Sequence, residues 1–124
     1  MALPGTVQSL GLDSTIDPCT DGGTVTIIAT WDGPDNPQDC SEMRNVNLEF
    51  VFSNCQEGVE TLNGSMELYV PGDSCTDTPS AFDVSYSNLR YQNPPEGDDF
   101  TFNFTIVTSN LQYDTNDYLV GGKV

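Results

Sequence analysis

Val46-Asn-Leu-Glu-Phe-Val-Phe-Ser53 sets Val46, Leu48, Phe50 and Phe52 on one side of an extended chain and Asn47, Glu49 and Ser53 on the other. A period of two marks a strand with one buried face, whereas a helix needs apolar residues three and four apart. The alternation recurs on both sides of this stretch. Upstream, Thr24–Trp31 sets Val25, Ile27, Ala29 and Trp31 against Thr24, Thr26 and Thr30. Downstream, Thr61–Val70 sets Leu62, Met66, Leu68 and Val70 against Asn63, Ser65, Glu67 and Tyr69. Phe82–Tyr91 begins with Phe82, Val84 and Tyr86 inward, then loses register near Asn88. Phe100–Thr108 carries Phe100, Phe102, Phe104 and Ile106 on one side, and a last run, Leu111–Val120, is broken at Asp114–Asp117.

Turn residues separate these runs: Asp32-Gly-Pro-Asp-Asn-Pro, Cys55-Gln-Glu-Gly, Pro71-Gly-Asp-Ser and Asn93-Pro-Pro-Glu-Gly-Asp-Asp. A sheet with one apolar face must fold on itself or be covered. The expectation is an all-β fold: an antiparallel β-sandwich or partly closed barrel of about six strands, meander-like, with two disulfides. Residues 1–18 read as an N-terminal arm and 19–124 as a single β-domain. In the arm, Leu3, Val7, Leu10, Leu12 and Ile16 suit a covering strand, a short helical turn, or an assembly arm that docks elsewhere.

Composition narrows the chemistry. The chain has 124 residues, with 3 Lys plus Arg, 19 Asp plus Glu and no His, for a formal net charge of −16. Nucleic acid and anionic membrane are excluded as partners, because phosphate binding needs clustered cations. Without histidine, the commonest general base and commonest metal ligand are both missing. No run approaches the roughly 18 consecutive apolar residues of a membrane span. Met-Ala-Leu-Pro-Gly lacks the basic start and apolar stretch of a signal peptide, so the chain reads as a mature form if it is exported. Gly-Gly-Lys-Val follows directly on a strand-like run, which suits a piece of something longer.

Four cysteines allow three pairings. In a meander, Cys19 precedes the first of the alternating runs and Cys55 follows the second, at one end of the sheet. Cys40 and Cys75 occupy loops at the other end. A strand of eight to ten residues spans roughly 25–33 Å, whereas a disulfide needs Cα atoms within about 7 Å. Only Cys19–Cys55 with Cys40–Cys75 is comfortable, and the alternative is free or metal-binding thiols. Spacings of about twenty residues without a C-x-x-C do not suit zinc or redox sites. Disulfides imply an oxidising compartment: extracellular, cell-surface or periplasmic.

Cys19-Thr-Asp-Gly-Gly-Thr-Val-Thr-Ile, followed by Phe52-Ser-Asn-Cys-Gln-Glu-Gly-Val-Glu-Thr-Leu-Asn-Gly-Ser-Met, resembles a group of secreted or lipid-anchored bacterial β-rich proteins. These carry a Cys-x-Gly-Gly-like opening and an Asn-Cys…Leu-Asn-Gly turn between threonine-rich strands. The resemblance spans about residues 19–110 and rests mainly on turn chemistry. It implies export, a surface module, and a Cys19–Cys55 pair. It carries no activity and no catalytic residues, and Cys40 and Cys75 lie outside its pattern.

Without His or a free thiol, carboxylates are the remaining candidate acids and bases. Glu49 and Glu67, on the polar faces of neighbouring strands, superficially fit a glycosidase pair, but equally a solvated sheet face. Asp32, Asp35 and Asp39 crowd one loop, with Asp73 and Asp77 in another at the same end, so calcium is chemically possible as a cofactor. No Asp-x-Asp-x-Asp-Gly loop is present, and the same residues suit plain solubility. Further acidic groups are Asp13, Asp17 and Asp21, Asp98 with Asp99, and Asp114 with Asp117. Tyr69 reads as outward-facing and Trp31 ends a strand beside a loop; both suit rings that stack on a glycan, and Trp31 equally suits the core. Asn63-Gly-Ser and Asn103-Phe-Thr match the N-glycosylation pattern.

The functional expectation is a non-enzymatic extracellular or cell-surface structural or interaction protein. Its partners would be other protein subunits, met through the N-terminal arm or sheet edges. The alternative is a small carbohydrate-binding module, calcium-dependent through its Asp-rich loops. A glycosidase ranks behind both.

Overall fold

The computed structural model describes residues 10–124. Six strands run as an antiparallel meander: β1 (Leu10–Pro18), β2 (Thr24–Asp32), β3 (Arg44–Glu57), β4 (Glu60–Asp73), β5 (Asp83–Asn93) and β6 (Asp98–Val107). Each strand pairs only with its sequence neighbours, so β1 and β6 are the two edges of the sheet. A two-stranded hairpin, β7 (Ser109–Tyr113) and β8 (Leu119–Lys123), follows. The all-β, antiparallel, meander-like fold of about six strands with two disulfides is as expected; where the expectation named a sandwich or partly closed barrel, the described residues show one six-stranded sheet, with β1 and β6 not paired to each other, and a second sheet of two strands.

Two details of strand assignment differ from the alternation alone. Leu10–Pro18 supplies the sixth strand of the sheet, pairing with β2 along its whole length from Leu10↔Asp32 to Pro18↔Thr24. The run Leu111–Val120 instead folds as a hairpin of its own. Asp114 closes that turn: its amide N–H donates to the Tyr118 carbonyl at 2.9 Å, and its carboxylate accepts from the Asn116 and Tyr118 amides.

Register sorts the side chains. Ile27↔Phe50↔Met66↔Tyr86↔Phe104 is one transverse row, and Ala29↔Leu48↔Leu68↔Val84↔Ile106 is the next. Residues directly opposite in a ladder share a face. One side of β2–β6 is therefore apolar, and the other carries Thr26, Glu49, Ser65, Glu67, Ser85 and Thr105, with Ile28 and Val51 among them. Edge strand β1 does not continue the pattern. Its register places Asp13, Thr15 and Asp17 beside Ala29, Ile27 and Val25, while Leu12 and Ile16 lie with Thr30 and Thr26.

The loss of period near Asn88 is a β-bulge, and it has a twin. On β3, Ser53-Asn54 opposes Asn63 alone; on β5, Ser87-Asn88 opposes Asn103 alone. Both bulge asparagines are left-handed, Asn54 at φ 47° and Asn88 at φ 48°, a region asparagine tolerates better than most residues. The inserted residue moves the following side chains by one, so Leu89 and Tyr91 return to the face that holds Val84 and Tyr86. A glycine admits each bulge, Gly23 just before β2 and Gly64 on β4. A Cβ at Gly23 would meet the Asn54 carbonyl oxygen at 1.9 Å, and one at Gly64 the Asn88 carbonyl oxygen at 2.1 Å.

Both disulfides join the pairs expected from strand-end geometry: Cys19–Cys55 with Cα atoms 5.4 Å apart, and Cys40–Cys75 at 5.1 Å. They tie opposite ends of the β2–β3–β4 core and suit an oxidising environment, extracellular or periplasmic. No helix among the described residues is long and apolar enough to cross a membrane.

Candidate functional surface

The most unusual feature is how little of the apolar face is covered. Cys19, Trp31, Cys55 and Leu89 are the buried hydrophobic residues among those described, and no side chain there falls below 2% exposure. A domain core normally contains several fully buried Leu, Ile, Val or Phe side chains. Here Phe50, Phe52, Met66, Leu68 and Val84 are half-buried. Towards the β6 edge Phe100, Phe102 and Phe104 are 52%, 38% and 47% exposed. Tyr86, Phe102 and Phe104 form an aromatic cluster, with the Tyr86 and Phe104 ring centroids 4.9 Å apart.

Loops cover one end of the face. Trp31 packs on Gly11, its cross-strand partner in β1, and its indole N–H donates to the Pro34 carbonyl at 2.8 Å. The ring is a buried corner of the fold, 4% exposed. Beside it lies an open cleft of about 740 Å³ lined by Ala29, Asp35, Asn36, Gln38 and Met43. A second cleft, about 430 Å³, lies between Val46, Val70 and Pro79 next to the Cys40–Cys75 bridge. Tyr69 stands on the opposite, polar face, opposite Asn47 and Asp83.

Three of the acidic loop residues, Asp32, Asp39 and Asp73, have local partners. Asp39 caps the short 3-10 turn Cys40–Glu42, and hydrogen bonds from the Ser41 hydroxyl and amide hold its carboxyl below the usual carboxylate range. Asp32 accepts from the Asn45 amide side chain at 2.7 Å, and Asp73 from the Cys75 amide at 2.9 Å. Asp35 lines the Trp31 cleft and Asp77 is exposed. Among the described residues, no three carboxylates or thiols gather into a group that could hold a metal ion.

Glu49 and Glu67 are direct cross-strand neighbours on the polar face. The face is open there, Glu67 is exposed, and Glu67 accepts from the Asn47 side chain at 3.5 Å. Neither carboxylate lines the clefts described above. Of the arm residues, Leu12 and Ile16 lie in β1, 59% and 68% exposed. Leu10 begins that strand, and Leu3 and Val7 lie outside the described residues.

The amides of the two glycosylation-pattern asparagines are engaged in the bulges. Asn63 Oδ1 accepts the Asn54 amide N–H at 2.8 Å and Asn103 Oδ1 accepts that of Asn88 at 2.7 Å. The sequence carried this signal as a repeat, Phe-Ser-Asn54-Cys and Tyr-Ser-Asn88-Leu, each answered by an asparagine on the next strand. The turn motif around Cys19 is structural in the same way: the Gln56 amide donates to Gly22, and the Asp21 amide to Gln56. Set against protein-family models, curated proteins and solved structures, the chain matches none.

Proposed function

We propose that this chain is a non-enzymatic structural or interaction domain of the extracellular space or cell surface, which works by assembling with other protein subunits. The observation that carries the reading is the open sheet. Among the described residues, β1 and β6 each leave one side without a strand partner, and both edges display apolar side chains: Leu12 and Ile16 on β1, Phe104 and Val107 on β6. An edge strand offers unpaired N–H and C=O groups to another chain, and monomeric proteins usually blunt such edges with lysine, proline or bulges. The single lysine of this chain is Lys123, in β8.

The test is negative-stain electron microscopy and light scattering of the oxidised protein across a salt and calcium series. Ordered assemblies that disappear when residues 1–16 are deleted support the reading; turnover of a glycan substrate would sink it. A second reading, a small carbohydrate-binding module, rests on the cleft beside Trp31, where Asp35, Asn36 and Gln38 surround an apolar floor. It predicts a monomer whose melting temperature rises with a glycan, by ligand linkage. A glycan array without signal would dismiss it.

A further inference from the structure

The apolar face of β2–β6 has no fully buried side chain among the described residues. We infer that it is the interface of a face-to-face pair, two copies of this chain stacking their sheets into a sandwich whose core neither copy closes alone.

The chemistry of the face sets the kind of partner. From Val25 and Ile27 on β2, through Phe50, Met66 and Tyr86, to Phe102 and Phe104 on β6, it carries no charged side chain, although the chain has 19 acidic residues. Asp13 and Asp17 on β1, Glu57 on β3, Glu60 on β4 and Asp98 at the start of β6 lie at its rim. A neutral apolar surface gains nothing from a cationic or anionic partner, and needs one that is apolar over the same area. The same face of a second copy meets that requirement, and a two-fold axis through the face makes it self-complementary.

Size agrees. Five strands at about 4.8 Å spacing are about 24 Å wide, and seven residues along each strand are about 20 Å long. The plan area is roughly 480 Å² on each copy, so about 1,000 Å² in a pair before side-chain relief is added. A specific interface needs about 1,000 Å² in total. Two sheets with the same twist stack about 10 Å apart at about 30°, the geometry of an ordinary sandwich core.

Residues 1–9 are too few for the task. Residues 1–9 fully extended would cover a strip about 30 Å by 5 Å, less than a third of the face, with Leu3 and Val7 as its larger aliphatic side chains. Mutual repulsion of two chains at −16 opposes pairing. That repulsion acts between exposed carboxylates and is screened by salt, whereas the apolar contact is not.

The inference deepens the reading of the chain as an interaction domain, and the two fail separately: glycan turnover or glycan binding would remove that reading and leave the pair. The experiment is sedimentation equilibrium of the oxidised full chain from about 0.1 M to about 1 M sodium chloride, over which the Debye length falls from about 10 to about 3 Å. The expected result is twice the monomer mass, with the dissociation constant falling at least tenfold across the series. Phe102→Glu, on the face, should give monomer at every salt concentration while far-UV circular dichroism and both disulfides are retained. Thr101→Glu, its neighbour on the opposite face, should leave the pair intact and shows whether an added charge alone is disruptive. A wild-type monomer throughout, a pair indifferent to Phe102→Glu, or equal loss with Thr101→Glu would each overturn the inference. So would a pair that vanishes on deletion of residues 1–9 while the face variants leave it unchanged, which would make the arm the contact.

Discussion

Asn103 and Asn88 hold each other across β5 and β6: Asn103 Oδ1 accepts the Asn88 backbone N–H at 2.7 Å, and Asn103 Nδ2 donates to Asn88 Oδ1 at 3.0 Å. The amide N–H that the bulge removes from the ladder is thus satisfied by a side chain of the next strand. Asn63 does the same for Asn54. Ser109-Asn110-Leu111 repeats the bulge sequence on β7, with Asn110 at φ 51°, but β7 does not pair with β6. Where β4 offers Gly64 to the next strand's bulge, the corresponding position of β6, opposite Tyr86, is Phe104. A Cβ there would stand against an asparagine carbonyl, as it would at Gly23 or Gly64.

Asn103→Ala should lower unfolding free energy by about 1 kcal/mol, since one exposed, structured hydrogen-bonding side chain is lost. Asn88→Val should cost more, about 1–2 kcal/mol, by forcing a β-branched residue into the left-handed region. Asn88→Gly should stay within about 1 kcal/mol of wild type, because it loses the Asn103 contact but accepts that conformation. Urea titration followed by circular dichroism separates the three. Equal destabilisation by valine and glycine would rule out a conformational origin.

The two disulfides close loops of nearly equal length, 36 and 35 residues of separation. The chain-entropy model therefore gives each about 4 kcal/mol. Burial breaks the tie: Cys55 and Cys19 are buried, whereas Cys40 and Cys75 are exposed. The double variant Cys19→Ser/Cys55→Ser should lose more stability than Cys40→Ser/Cys75→Ser, by about 1–3 kcal/mol for the polar groups placed in apolar surroundings. Thermal unfolding of both double variants gives the order. Non-reducing peptide mapping that links Cys19 to Cys40 would remove the premise.

The meander was legible because alternation is a local property that Val46–Ser53 and Phe100–Thr108 display within a single strand. The disulfide pairing was legible because a meander sends alternate strand ends to opposite sides. Edge strand β1 was not: it has Leu12 and Ile16 on one side and Asp13 and Asp17 on the other, so its pattern sets no strong preference for pairing at home. The bulges escaped because their partners, Asn63 and Asn103, lie on other strands. A period count sees only the gap at Asn88. Trp31 was legible as core, and the structure makes it so through Gly11, whose missing side chain leaves the space the indole fills.

That contact gives a spectroscopic prediction. A Cβ at Gly11 would overlap the Trp31 indole, at 1.9 Å from Nε1. Gly11→Val should push the ring out of its corner and cost about 1–3 kcal/mol through overpacking. Trp31 is the one tryptophan of the chain, so its emission reports the change directly: a red shift towards the exposed value, with quenching by iodide. Unchanged emission would mean that the ring and Gly11 do not share this space.

Arg90 and Asp99 form the ion pair of the polar face, with Arg90 Nε and Nη2 donating to the two carboxylate oxygens at 2.9 and 2.7 Å. The hydrogen bond from Arg90, reinforced by its charge, holds the Asp99 carboxyl below its ordinary value, and Asp99 raises the guanidinium in turn. A carboxylate whose folded pKa is depressed contributes stability that is present above its unfolded pKa and lost as pH falls through the folded one. The window therefore lies below pH 3.8, the ordinary Asp value. Both side chains are about half exposed, 50% and 47%, where solvent screening keeps such pairs weak. Arg90→Gln should accordingly bring the Asp99 midpoint up towards its ordinary value in a carboxyl NMR titration, and leave stability at pH 7 nearly unchanged. A midpoint that stays low without the guanidinium would assign the shift to another neighbour, and Gln92, the cross-strand partner of Asp99, would be the residue to replace next.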